Sequence, residues 1–157
     1  MSYSSNQNLF RQILMDHTQN PRNKGLLEEA GYVTCHLKNP SCGDDITVQV
    51  KLDADGQRLD DVRQAGSGCS ICCSSTSMMT ELLKAATVSE AEYLIEQFKN
   101  MVTAEAYDEE ALGEAIALQG VARLQPRVKC ATLGWLAAEQ AIDEANSQEG
   151  KESPDND

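Results

Sequence analysis

Three of the six cysteines stand where loops meet regular structure, and an aspartate follows one of them two residues later. Cys42 lies in Asn39-Pro40-Ser41-Cys42-Gly43-Asp44, where proline and glycine fix a tight backbone and leave the thiol on a loop. Cys69 closes Gly66-Ser67-Gly68-Cys69, and Cys130 follows Pro126-Arg127-Val128-Lys129 at the expected opening of the last helix. Thiols at helix starts, or beside Lys and Arg, have lowered pKa and carry more thiolate, the form that binds metal and attacks sulfur. Three sulfurs and the Asp44 carboxylate make a donor set that suits tetrahedral zinc. The spacing is too irregular to mark a zinc finger, however. The same residues also fit three small core side chains and a turn aspartate that caps its own backbone.

The other candidates are weaker. Cys69-Ser70-Ile71-Cys72 has the C-x-x-C form, but the βαβ setting of a thioredoxin-like redox pair is missing. Cys72 and Cys73 fall one turn beyond Cys69 among small and apolar neighbours, so core packing is expected, with a part in metal binding or sulfur transfer left open. Cys35 alternates with Val33 and Leu37 and should face the core. Of the two histidines, His17 reads as a packed helix-face residue and His36 as a surface one. The acidic runs at Glu28-Glu29, Asp60-Asp61 and Asp108-Glu109-Glu110 read as solvated faces that would speed association with a basic partner.

The elements that must position these groups follow from periodicity. Asn8 to Thr18 reads as an amphipathic helix with Phe10, Ile13, Leu14 and His17 on one face, stopped by Asn20-Pro21. Tyr32 to Leu37 and Ile46 to Leu52 alternate as half-buried strands. Asp53-Ala54-Asp55-Gly56 supplies a hairpin turn, with a return strand from Arg58 to Gln64. After Gly68 the period becomes helical, with Ile71, Ser75, Met78, Met79, Leu82 and Leu83 on one face. Further helices are expected over Ser89 to Met101, Glu110 to Gln119 and Ala131 to Ala145. Strands followed by helices predict an α+β fold, a small antiparallel sheet of about three strands with helices packed against it. One domain is expected over residues 1–146, with a disordered acidic tail over 147–157.

Bulk properties narrow the function classes. The chain has 157 residues, enough for one well-buried core, and a formal charge of -12 that would repel nucleic acid and anionic lipid. No stretch reaches the apolar length of a membrane span and the first residues hold no apolar signal segment, so a cytoplasmic protein is expected. In that compartment spaced cysteines point to metal or reactive sulfur rather than to disulfides.

Three ordered segments resemble the signatures of the IscU/SufU family of iron–sulfur cluster assembly proteins. These are Asn39-Pro40-Ser41-Cys42-Gly43-Asp44, Gly66-Ser67-Gly68-Cys69-Ser70-Ile71 with Ser75, Ser77, Met78 and Met79, and Arg127-Val128-Lys129-Cys130-Ala131-Thr132-Leu133. The likeness extends from the Asp16-His17 helix with Asn20-Pro21-Arg22-Asn23 to Trp135. Lys129 stands where the IscU scaffold branch has a histidine, and the long stretch between Cys69 and Cys130 resembles the insertion of the SufU branch. An ammonium has no lone pair, so lysine cannot stand in for that ligand near neutral pH. The resemblance implies a SufE/IscU-like fold and one zinc ion on Cys42, Asp44, Cys69 and Cys130. It further implies sulfur acceptance by Cys42 and a supporting role for Arg127. It implies a sulfurtransferase partnered by a SufS-type cysteine desulfurase and by a downstream iron–sulfur assembly scaffold. Two alternatives remain, a scaffold carrying a transient [2Fe–2S] cluster and a purely structural zinc module.

Overall fold

In the computed structural model the backbone is described over residues 3–151 and the side chains over residues 7–147. Helix α1 (Tyr3–Gln19) leads into the strands β1 (Tyr32–Asn39), β2 (Asp44–Leu52) and β3 (Leu59–Ser67). Helices α2 (Ser70–Leu83) and α3 (Val88–Val102) follow, then the short α4 (Glu109–Leu112), a 3₁₀ segment (Gly113–Arg123) and α5 (Gln125–Lys151). The strands form one antiparallel sheet in the order β1-β2-β3, as the alternation predicts.

Two tight turns set the register. Gly43 adopts φ 72°, which closes the β1–β2 connection and pairs Asn39 with Asp44. In the β2–β3 turn Gly56 donates to the Asp53 carbonyl, and the Asp53 carboxylate accepts from the Gln57 and Arg58 amides. Ile46, Val48 and Val50 thereby face α5, which lies across β1 and β2. Near its end β3 approaches β2 so closely that a Cβ on Gly66, at φ 131°, would sit 2.0 Å from the Asp45 carbonyl oxygen.

Helix α2 meets α5 at short range, since a Cβ on Gly134 would lie 2.4 Å from Thr76 Oγ1. Trp135 seals this contact. Its ring stacks on Phe98 of α3 at 4.2 Å and its indole N–H donates to Ser75 Oγ at 2.9 Å, while the Ser75 hydroxyl donates to the Ala131 carbonyl at 2.6 Å. Thr87 and Glu90 form a reciprocal capping box that starts α3.

Several boundaries differ from expectation; α1 already begins at Tyr3 rather than Asn8, and three others bear on the site and the domain's end. The stretch from Glu110 to Gln119 is a single α turn followed by a 3₁₀ segment, interrupted at Gly113 with φ 51°. Helix α5 begins at Gln125, because Pro126 is tolerated in a first turn, so Cys130 lies inside the helix rather than at its opening. The same helix continues to Lys151, past the Ser147 at which a tail is expected; residues 152–157 lie outside the described residues. Among the described residues no helix is long and apolar enough to cross a membrane.

Candidate metal centre

The β1–β2 turn, the β3–α2 junction and α5 converge on one point. The side-chain ligand atoms of Cys42, Asp44 and Cys130 all lie within 4.8 Å of one another. Cys130 is fully buried and its thiol donates to Cys42 Sγ at 2.9 Å, while Asn39 Nδ2 donates to Cys130 Sγ at 3.8 Å. Cys42 and Cys69 are half-buried, which leaves the centre reachable from one side.

Asp44 is the informative member. Only 2% exposed, it accepts the Cys69 backbone N–H on Oδ1 at 2.9 Å, whereas its Oδ2 is buried with no hydrogen-bond partner. A buried, unpaired carboxylate oxygen is costly and calls for a donor or a cation. The two thiols beside it and its place in a sulfur-and-oxygen donor set fit a zinc ion. Gly68 makes the arrangement possible, because a Cβ there would stand 2.5 Å from Asp44 Oδ1. Sequence inspection treats Gly68 only as part of a turn; its need for closeness to Asp44 comes from the fold.

Of the four expected ligands, three are thus drawn together, and Cys69 stands beside the set, held to Asp44 through its own backbone N–H. The electrostatics correct one expectation. Cys130 does not have the lowered pKa of a thiol at a helix start: burial first, and then the adjacent Cys42, Asp44 and Cys69 side chains, push it up. The positive charge of the exposed Arg127 guanidinium lies near the sulfurs, and Cys130 first, then Cys69 and Cys42, raise its pKa.

The remaining thiols separate by environment. Cys72 is fully buried, and burial followed by the charge of Asp44 raises its pKa; Cys73 is half-buried, raised by burial and then by Cys69, and donates to the Gly68 carbonyl at 3.5 Å. Cys35 is half-buried on β1, with its thiol toward Gln140 of α5. His36 is a surface residue bonded to Asp45, as expected. His17 is packed, as expected of its helix face, and it also sits in a polar network that the periodicity does not reveal.

The chain belongs to the NifU-like N-terminal domain family, whose model matches residues 9–151. It is 41% identical over 144 residues to the zinc-dependent sulfurtransferase SufU of Bacillus subtilis, covering 90% of this chain and 95% of that one. It is also 38% identical over 150 residues to the iron–sulfur cluster assembly scaffold protein IscU of Streptococcus pyogenes, covering 94% and 92% of the two chains. A solved structure of a candidate iron–sulfur cluster assembly scaffold protein for the SUF system, from Fervidobacterium islandicum, superimposes with a TM-score of 0.76 at 32% identity, covering 83% and 94%.

Proposed function

We propose that this chain is a zinc-dependent sulfur-transfer protein of iron–sulfur cluster assembly. Cys42, Asp44, Cys69 and Cys130 hold one zinc ion, and Cys42 accepts sulfur from a SufS-type cysteine desulfurase. The observation that carries this proposal is the buried, unpaired Oδ2 of Asp44 beside the Cys42 and Cys130 thiols. A bound cation supplies positive charge that favours thiolates where burial disfavours them.

The chain's own residues then have defined tasks. Cys42, half-buried on its turn, is the thiol a partner's active site can reach. Its thiolate attacks the outer sulfur of the desulfurase persulfide. A new sulfur–sulfur bond forms on Cys42, the enzyme's own sulfur–sulfur bond breaks, and the enzyme's cysteine leaves as a thiolate that takes up a proton. Arg127 holds positive charge over the sulfurs during this exchange. Gly68 keeps Asp44 in place. The accepted sulfur then passes to a downstream assembly scaffold. Cytoplasmic location goes with this role.

Lys129 and the 41% identity to a named zinc-dependent sulfurtransferase favour sulfur transfer over a second function, scaffolding of a [2Fe–2S] cluster. Three thiols and one carboxylate are chemically competent for the cluster as well. Metal analysis of protein purified without added metal, with desulfurase assays on wild type, Cys42→Ala and Asp44→Ala, separates the two. About one zinc per chain and stimulation that Cys42→Ala abolishes is the expected result. Iron and sulfide in near-equal amounts without stimulation would establish the scaffold.

A further inference from the structure

His17 is 1% exposed in the last turn of α1, and the sulfur chemistry has no use for it. Its Nδ1 lies 2.7 Å from Ser77 Oγ of α2. Its Nε2 faces two carboxylates, Glu114 Oε1 of the 3₁₀ segment at 3.0 Å and Glu81 Oε1 of α2 at 3.8 Å. The ligand atoms of His17, Glu81 and Glu114 lie within 4.8 Å of one another.

Geometry, charge and access each match a cation site. Neighbouring ligands around an ion with bonds of about 2.1 Å stand about 3.0 Å apart in an octahedron and about 3.4 Å apart in a tetrahedron; the Nε2–Glu114 contact, a hydrogen bond at 3.0 Å, already has this spacing, and the exposed Glu81 carboxylate at 3.8 Å needs only a small side-chain rotation to reach it. Arg22 approaches this pair from one side, its Nε 3.9 Å from Glu81 while its Nη2 is committed to Asp16. Like charges held this close are relieved by a divalent ion. A metal-bound imidazole donates its other ring N–H to an acceptor. Ser77 Oγ is fixed for that duty, since it already accepts the Arg22 backbone N–H at 2.9 Å, and a hydroxyl can serve either histidine tautomer. Side chains of Glu81 and Glu114 are 48% and 60% exposed, so water and ions reach the two carboxylates from solvent, and on their far side from His17 they border a cavity of about 300 Å³ with Met78, Leu82 and Ala115.

We propose that His17, Glu81 and Glu114 form a second divalent-cation site, distinct from the cysteine centre. An imidazole and two carboxylates accept borderline to hard first-row ions, Mn²⁺ and Fe²⁺ among them, while a limiting equivalent of zinc goes first to the softer thiols. An ion there ties α1, α2 and the 3₁₀ segment together. This inference stands apart from the sulfur-transfer proposal, and its test does not read sulfur transfer.

The test titrates Mn²⁺ into the full chain loaded with one equivalent of zinc, in 0.15 M salt to screen diffuse binding, with free Mn²⁺ followed by electron paramagnetic resonance. The expected result is one saturable Mn²⁺ per chain, weakened at least tenfold in Glu114→Gln and in Glu81→Gln and unchanged in Cys42→Ala. Both glutamine variants keep the side-chain shape and an acceptor oxygen, and circular dichroism with zinc content verifies that they fold. Unsaturable uptake that is equal in wild type and variants would overturn the proposal. So would saturable binding that survives Glu114→Gln and is lost in Cys42→Ala, which would place Mn²⁺ at the cysteines.

Discussion

Replacing Asp44 by Asn should raise the stability of the metal-free protein and shrink the rise that zinc adds to it. The amide is isosteric and keeps an oxygen to accept the Cys69 N–H now bonded at 2.9 Å. It replaces the buried oxygen that has no partner with an NH₂ group that can donate toward the neighbouring sulfurs. Relief of an unsatisfied buried acceptor is worth about 1–3 kcal/mol. At about 2–4 °C per kcal/mol for a chain of this size, the metal-free variant should melt about 2–12 °C above wild type. With zinc the carboxylate is lost as a ligand. A hundredfold loss of affinity removes about 2.7 kcal/mol of ligand-linked stability, which is about 5–11 °C of the zinc-induced rise. Calorimetric melting of both proteins, each with chelator and with excess zinc, gives the four values required. If the metal-free variant melts below wild type and its zinc-induced rise is intact, Asp44 is only a cap for the Cys69 amide, and the argument from its unpaired oxygen fails.

Other consequences can be measured directly. Gly68→Ala, whose Cβ would meet Asp44 Oδ1 at 2.5 Å, should weaken zinc about 10–100-fold by displacing the carboxylate, as read by competition with a chromogenic chelator; equal affinity would mean that the turn yields freely. Because its surroundings raise the Cys130 pKa, that thiol is protonated across neutral pH and must lose its proton to bind metal. Zinc affinity should therefore climb as pH rises, with about one proton displaced per thiol ligand, and a pH-independent affinity would exclude thiolate ligation. Phe98→Ala, which removes a buried ring stacked on Trp135, should cost about 3–5 kcal/mol in urea unfolding; a loss under about 1 kcal/mol would show that the α3–α5 contact repacks.

Much of the scaffold was legible because a one-sided sheet writes its pattern into every second residue. Ile46, Val48 and Val50 alternate, and Asp53 to Gly56 carries turn chemistry that leaves one register open. The strand-to-helix change after Gly68 is equally plain. Where local pattern competes with backbone detail, the pattern misleads. The apolar positions around Leu112 and Leu118 suit an α-helix, yet the chain turns at Gly113 and tightens into a 3₁₀ segment. Gln125 and Pro126 look like loop, although a proline in the first turn opens α5 and carries Cys130 indoors, which reverses the expected direction of its pKa. Four candidate ligands were visible as residue types in suggestive loops. That three of them lie within 4.8 Å is a tertiary fact, set by α5 crossing the sheet and by the close approach that Gly134 allows. His17 showed its buried face in its spacing with Phe10, Ile13 and Leu14, but its partners Ser77, Glu81 and Glu114 lie at least 60 positions away.

The two thiols that meet at 2.9 Å are 88 residues apart in the chain, and this separation governs the order of folding events. Cys69, Cys72 and Cys73 lie within five consecutive residues. In an unfolded chain, closing that short ring costs about 2.7 kcal/mol less entropy than closing the long one. Zinc that meets the chain before folding should therefore favour the local trio, and the proposed centre should take it only after α5 has docked on the sheet. Complete burial of Cys72 in the folded chain forces that hand-over. Refolding with zinc present should accordingly lag behind refolding followed by zinc addition, and Cys72→Ala should shorten the lag. With the proposed ligands, the fold would choose its metal site against the preference of its own unfolded chain.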